Sequence, residues 1–275
     1  MPPEGLKPPL SPESELDTWL KEITNRWQAI PQFQADPEKL QHLVIICDGN
    51  RRAAQERMLP LEFGHLAGTE VIRGISRACR GWEIRDVTFW TWSTENWQRD
   101  AEQVEFVMNL AARLLSDPKL LEEFNHHNVR FTHLGRKDRL PPPVSRVISN
   151  LERQTATSDG YRINLAMDYG GLDEVARGVG KIIEAVQTGS LNPEMIKVNP
   201  QVILGFLDTA NQVLPDLVIR TGVKKGEVLH TSGLMPLQTA YSGWVFLADL
   251  FPDLTPDSLL SPIQDFLEYE RRFGR

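Results

Sequence analysis

The chain has only two cysteines among its 275 residues. Two are too few for a disulfide framework, and Cys47 and Cys79 stand too far apart to form a spaced metal-binding pair. No apolar run approaches the roughly 18 residues of a membrane-spanning helix, and no charged-then-apolar leader opens the sequence. Positive charge is also scarce. Lys and Arg number 30 against 37 Asp and Glu, a formal charge of −7, where a phosphate-backbone binder carries a net basic face. Phosphate motifs of the common kinds are missing too. No Gly-x-Gly-x-x-Gly follows a strand pattern, and Gly178-Val179-Gly180-Lys181-Ile182 lacks the earlier glycine and the hydroxyl residue of a P-loop. Ile46 stands where an aspartate-nucleophile phosphatase of the haloacid dehalogenase type needs a second aspartate. His126 and His127 are adjacent rather than at helical spacing, which argues against zinc there. Together these absences predict a cytosolic protein with no nucleic-acid partner.

What the chain does have is Leu43-Val44-Ile45-Ile46-Cys47 running into Asp48-Gly49-Asn50-Arg51-Arg52. An unbroken branched apolar run reads as a strand covered on both faces, and ligands of α/β proteins collect where such strands end. Guanidinium forks suit phosphate oxygens, and a carboxylate beside them suits Mg²⁺ or proton transfer. Further strands are predicted at 87–92, 129–134, 162–166, 217–219 and 244–247. Helical patterns fall at about 64–80, 101–124, 143–155, 172–188 and 201–207, with a last one starting at Thr255-Pro256. Strands alternating with helices predict a single α/β domain over residues 41–275, with a mostly parallel central sheet of about six strands flanked by helices. Residues 1–40 differ: a proline-rich opening leads to Leu16, Trp19, Leu20, Ile23 and Trp27 at helical spacing, one amphipathic helix in an N-terminal extension.

Polar groups recur at the strand ends. Beside Asp48, Asn50 and Arg52 stand Ser93-Thr94-Glu95-Asn96-Trp97-Gln98-Arg99 after the second strand and Arg220-Thr221-Gly222 after the fifth. A lone arginine after a strand is ordinarily a surface residue; three strand ends each carrying one point to a shared site. His65 falls near a helix start, where backbone N–H groups and an imidazole can face an anion together. The stripe Val104, Val107, Met108, Ala111, Leu114 and Leu115 reads as core packing or as one wall of a hydrophobic cavity.

These residues resemble a family. His-x-x-x-Ile-x-Asp-Gly-Asn-x-Arg, Phe-Gly-His-x-x-Gly, Ser-Thr-Glu-Asn-Trp-x-Arg, the Asn-x-Ala-x-x-Tyr-Gly-Gly of residues 164–171, Asp216-Leu217-Val218-Ile219-Arg220-Thr221-Gly222 and the closing Glu-Arg-Arg-Phe-Gly occur in the order of the cis-prenyltransferases, the undecaprenyl diphosphate synthase family. The resemblance implies a homodimer, a hydrophobic tunnel, and Mg²⁺-assisted condensation of isopentenyl diphosphate with an allylic diphosphate such as farnesyl diphosphate. It also implies a peripheral membrane contact for product release. By the same carry-over, Asp48 directs Mg²⁺ and assists catalysis, and Asn96 sits where the condensing carbon loses its proton. Gly49, Asn50, Arg51 and Arg52 cradle the allylic diphosphate with help from His65, while Ser93, Thr94, Glu95, Trp97 and Arg99 complete that side. Arg220 and Ser232 hold isopentenyl diphosphate.

Four positions depart from the family pattern: Ala53 for a tryptophan, Leu61 for an arginine, His230 near a second isopentenyl-site arginine, and Gly243 for a metal-binding glutamate. With Gly243, the metal is expected to rely on Asp48, water and substrate phosphates, or on Glu227 or Asp249. The closing Arg271–Arg275 resembles a family segment that reaches the partner's isopentenyl site. Two readings follow, an active prenyltransferase or a homologue that binds prenyl diphosphates without turnover or supports an active partner subunit. Retention of Asp48, Asn50, Arg52, His65, Asn96, Arg99 and Arg220 favours the first.

Overall fold

The computed structural model describes residues 11–199 and 201–269, so the expectation for the closing Arg271–Arg275 lies outside the described residues. In chain order the elements are α1 (Pro12–Arg26), β1 (His42–Ile46), α2 (Asn50–Glu56), α3 (Leu61–Gly81), β2 (Asp86–Ser93), α4 (Ala101–Leu115), α5 (Pro118–His126), β3 (Val129–Leu134), α6 (Pro142–Gln154), β4 (Tyr161–Tyr169), α7 (Gly171–Gln187), α8 (Pro193–Val198), α9 (Gln201–Leu204), β5 (Leu217–Arg220), β6 (Gly243–Phe246) and α10 (Pro256–Glu268). The strands form one six-stranded sheet in the order β3-β4-β2-β1-β5-β6, and every pairing is parallel. All five residues of β1 are buried, as a strand between β2 and β5 with layers on both faces requires.

Four elements differ from the sequence expectation, one of them α8, a helix that was not expected. The pattern over 101–124 is two helices, because Pro118 takes the first position of a new one and Asp117 caps it by accepting from the Lys119 N–H at 3.0 Å. α2 was not visible as a helix: only Ala53 and Ala54 of its seven residues are buried, so it has no apolar periodicity to read. The last predicted helix before β5 shortens to Gln201–Leu204. No helix among the described residues is long and apolar enough to cross a membrane.

α1 packs on α3 and joins the main core through Trp19, Ile23 and Trp27. Trp27 lies over Gly74 of α3 so closely that a Cβ there would meet ring atoms at 2.3 Å. Gly74→Ala should therefore lower stability by about 1–3 kcal/mol, the usual cost of overpacking, read as a fall in the thermal midpoint; an unchanged midpoint would show that the ring can move aside.

Candidate active site

β1 leaves the sheet at Ile46, and Asp48 is pinned by its backbone. Its N–H donates to Thr221 Oγ1 at 3.0 Å, and its carbonyl accepts the Thr221 hydroxyl at 2.7 Å and the Phe251 N–H at 3.0 Å. The chain then turns at Gly49, whose φ of +102° and close approach to Leu250, 2.9 Å from where a Cβ would sit, both exclude a side chain. That turn starts α2 and sets Asn50, Arg51 and Arg52 on the rim of a cleft. Asn50 Nδ2 donates to the Cys47 carbonyl at 2.9 Å.

The Asp48 carboxylate lies between two guanidiniums. Arg52 Nη2 donates to Oδ1 at 3.3 Å and to the Gly222 carbonyl at 2.6 Å, and Arg220 Nη2 donates to Oδ2 at 3.2 Å. Arg220, nearly buried at the end of β5, is itself held by the His230 carbonyl at 3.0 Å and Ser232 Oγ at 3.2 Å, with Glu227 Oε1 3.7 Å from Nη2. Sequence motifs singled out Arg220 and Ser232; their direct contact depends on a loop that brings residue 232 back over the strand end.

Across the cleft, β2 ends in a capped 3₁₀ turn (Thr94–Gln98) in which Asn96 Oδ1 accepts the Ser93 N–H at 3.2 Å. Arg99 follows, its guanidinium 5.2 Å from the Trp92 ring centroid. Neither Arg51 nor Arg99 forms an ion pair among the described residues. Burial and the Arg51 charge both lower the Arg99 pKa, with Asp48 opposing. Burial first, then Arg99 and Arg51, push His65 down to about 4. The imidazole is therefore neutral at pH 7, beside two guanidiniums lacking a counter-ion, an arrangement that an anion completes. Glu95 sits on the same rim; although burial raises its pKa, hydrogen bonds involving Ser93, its own backbone and Thr94 bring it below the ordinary value. Burial and the neighbouring Asp48 push the Cys47 thiol well up, which removes a thiolate nucleophile from the site.

The cleft, of ≈ 610 Å³, is lined by Asp48, Gly49, Asn50, Arg51, Arg52, His65, Ser93, Glu95, Asn96, Arg99, Arg220 and Ser232. Two expected residues stay outside its wall. Trp97 turns away, its Nε1 donating to Asp168 Oδ1 at 2.7 Å and its ring meeting Trp92 edge-on. Thr94 packs against Gly170 and donates to Glu95 Oε1 at 2.9 Å. Both hold the turn that presents Asn96. Asp168, fully buried and clamped by Arg139 at 2.6 and 2.9 Å, anchors Trp97 in turn; it lies inside the 164–171 motif, but nothing in the sequence paired it with Arg139.

The cleft opens into an apolar cavity of ≈ 180 Å³, and Cys47, Asn50, His65 and Thr91 line both. α3 supplies one wall through Gly68, Ile72 and Ser76, α4 another through Val107, Leu110, Ala111, Leu114 and Leu115, and the sheet its floor. The α4 stripe read from sequence divides between two faces: Val104 and the buried Met108 lie on the side of α6, lining a groove with Pro143 and Val144.

Gly243 lies away from Asp48 within the protomer. It pairs with Leu217 at the start of β5, three residues before the Arg220 end, or roughly 10 Å along the strand. Within one protomer a side chain at 243 starts at the sheet edge opposite Asp48, against Phe266. Glu227, flanking the same Arg220 nitrogen as Asp48, is a carboxylate that the fold does bring near.

The family model of undecaprenyl diphosphate synthases matches residues 46–274. The chain is 37% identical over 234 residues to a tritrans,polycis-undecaprenyl-diphosphate synthase (geranylgeranyl-diphosphate specific) of Thermococcus kodakarensis, covering 85% of this chain and 86% of that one. It is 35% identical over 236 residues to an isoprenyl transferase of Bacillus subtilis, covering 85% and 87%. Among solved structures, lavandulyl diphosphate synthase from Lavandula x intermedia, in complex with dimethylallyl diphosphate, superposes with a TM-score of 0.79 at 27% identity, covering 87% of this chain and 100% of that one.

Proposed function

The chain belongs to the undecaprenyl diphosphate synthase family of prenyltransferases, and from that premise we propose that its cleft condenses isopentenyl diphosphate with an allylic diphosphate such as farnesyl diphosphate to give a (Z)-polyprenyl diphosphate. The observation that carries this reading is the continuity of a cationic cleft with an apolar cavity. The allylic C–O bond breaks and diphosphate leaves with the electron pair. The isopentenyl double bond attacks the freed carbon, and a proton is lost from the condensing unit. Arg51, Arg99, Asn50 and the Gly49 turn meet the charge that develops on the leaving diphosphate, with His65 at the entrance to the cavity. Arg220 and Ser232 hold the second diphosphate. Asn96, its Oδ1 fixed by the Ser93 N–H, lines the same cleft, and in this reading it stands beside the carbon that loses its proton. The hydrocarbon enters the apolar cavity, where each added carbon leaves water.

Mg²⁺ fits the donor set, though thinly. Asp48 is half-exposed, and no group of three metal-ligating side chains occurs among the described residues, yet Mg²⁺ accepts one or two carboxylates with waters and substrate phosphates. Asp48 would hold it, and the ion would supply charge neutralisation to the departing diphosphate.

A second copy of the chain suits α7, whose Leu172, Val179 and Ile183 are exposed on one helical face; a homodimer is part of this proposal. Cys47 and Cys79 are both free thiols, in keeping with a cytosolic setting. Contact with a membrane surface is proposed from the apolar product. Nothing in the site favours the non-catalytic alternative.

The pH behaviour of His65 gives a separate check. Its pKa is depressed from 6.5 to about 4, so between those values the unfolded chain binds a proton that the folded chain refuses, and stability falls as pH drops through this window. A bound diphosphate offsets the Arg51 and Arg99 charges and raises the imidazole. Binding at pH 5–6 should then take up more protons in the parent than in a His65→Gln variant, read by calorimetry in buffers of different ionisation enthalpy; equal proton exchange in the two would remove His65 from the diphosphate's surroundings.

The function itself is tested with radiolabelled isopentenyl diphosphate, Mg²⁺, and geranyl, farnesyl or geranylgeranyl diphosphate as acceptor. Longer, extractable prenyl products are expected. No extension with any acceptor would overturn the reading.

A further inference from the structure

The stretch before β1 precedes the part of the chain that the family model matches, yet it reaches the walls of the cleft. Arg26, at the end of α1, extends its guanidinium to a 3₁₀ turn (Phe251–Asp253) more than two hundred residues away. Its Nη2 donates to the Pro252 carbonyl at 2.9 Å and its Nη1 to the Asp253 carbonyl at 3.0 Å. The same turn supports the catalytic loop: the Phe251 N–H donates to the Asp48 carbonyl at 3.0 Å, Leu250 closes over Gly49, and Phe251 lines the apolar cavity. α1 reaches the other wall through Trp19, whose ring lies under the Arg57 guanidinium at 4.4 Å. Arg57 ends α2, donates to the Ala53 carbonyl at 3.0 Å and pairs with Asp253 Oδ1 at 2.6 Å.

Asp48 to Arg52 thus lie between two supports, the Phe251–Asp253 turn and α2, and α1 ties both. From this arrangement we propose that α1 is a brace for the diphosphate loop, with Arg26 as a positioning residue that acts through Phe251 on Asp48 and Gly49. Carbonyls at the end of a short 3₁₀ turn lack intrahelical donors, and a charged fork that supplies two donors at once fixes the turn's angle as well as its place. Core packing by itself needs no such contact, since Trp19, Ile23 and Trp27 already seat the helix. Displacement of the turn would move the Asp48 carbonyl and the Gly49 bend together, and with them the first residues of α2.

This inference rests on the proposed prenyl-diphosphate chemistry. The test compares Arg26→Gln and Arg26→Lys with the parent chain by affinity for farnesyl diphosphate in the absence of isopentenyl diphosphate, by kcat and KM for both substrates, and by thermal midpoint. Arg26→Gln should weaken farnesyl diphosphate binding and raise its KM five- to tenfold, with a smaller change in KM for isopentenyl diphosphate. Arg26→Lys, which keeps a donor for the same carbonyls, should recover most of the loss. If Arg26→Gln lowers only the thermal midpoint, or shifts both KM values equally, Arg26 is a packing residue and the brace is wrong. A parent chain that binds an allylic diphosphate while neither variant differs from it overturns the brace alone; a parent that binds none of geranyl, farnesyl and geranylgeranyl diphosphate overturns the proposed function with it.

Discussion

Asp48→Asn is expected to abolish measurable condensation, with a loss of at least about a thousandfold in kcat, the scale seen when a charge-stabilising group leaves a preorganised site. Asparagine keeps the shape of the side chain but not the charge that holds Arg52 and Arg220 in place and that would hold Mg²⁺. The fold should barely notice. Each contact that pins residue 48 to Thr221 and Phe251 uses its backbone, and the lost ion pairs are half-exposed on the carboxylate side, where such pairs contribute up to about 1 kcal/mol. The measurement is product formation over a Mg²⁺ titration together with thermal unfolding. Turnover near the parent level would place the essential carboxylate elsewhere, and Glu227 would be the first to examine.

The parts of this site that were legible in the sequence are those where one strand dictates both burial and chemistry. β1 is covered on both faces, so its apolar run is continuous and ends at Asp48 without ambiguity. The β2 and β5 ends were visible for the same reason, and the three converge because they are neighbours in the sheet. What stayed hidden was pairing over distance. Arg139 with Asp168, Arg80 with Glu123 and Arg26 with the Phe251–Asp253 turn join residues whose own surroundings in sequence look like ordinary surface. Spacing also says nothing about which end of a strand a residue occupies: Gly243 stands where the family resemblance leads one to expect a metal-binding glutamate, and only the β5 to β6 register sets it at the start of β6, beside Leu217, within the protomer. The short polar α2 escaped because its role is to aim side chains into a cleft, which leaves no apolar face to betray a helix.

Product length should respond to the far end of the cavity. His65 and Arg80 both line it from α3, fifteen residues apart, so the space runs about 22 Å along the helix. At that end Arg80 Nη2 donates to Glu123 Oε1 at 2.9 Å, across from the stacked rings of Phe124 and Phe131. A growing chain gains about 4 kcal/mol for each five-carbon unit it buries, at roughly 0.8 kcal/mol per methylene, until it meets the ion pair, where further growth would desolvate charge without return. Arg80→Leu combined with Glu123→Met removes both charges together. That avoids the larger penalty of leaving one stranded, a penalty already foreshadowed by Arg80 Nη1, which is buried without a partner. The double variant should extend the longest product by at least one five-carbon unit while its thermal midpoint stays near that of the parent, whereas Glu123→Met by itself should destabilise the chain more than the pair does. Chromatography of the dephosphorylated products reads the first effect and thermal unfolding the second. An unchanged product ladder from a folded, active double variant would mean that growth stops short of Arg80, at Leu115 or Leu120, and the limit would then be steric rather than electrostatic.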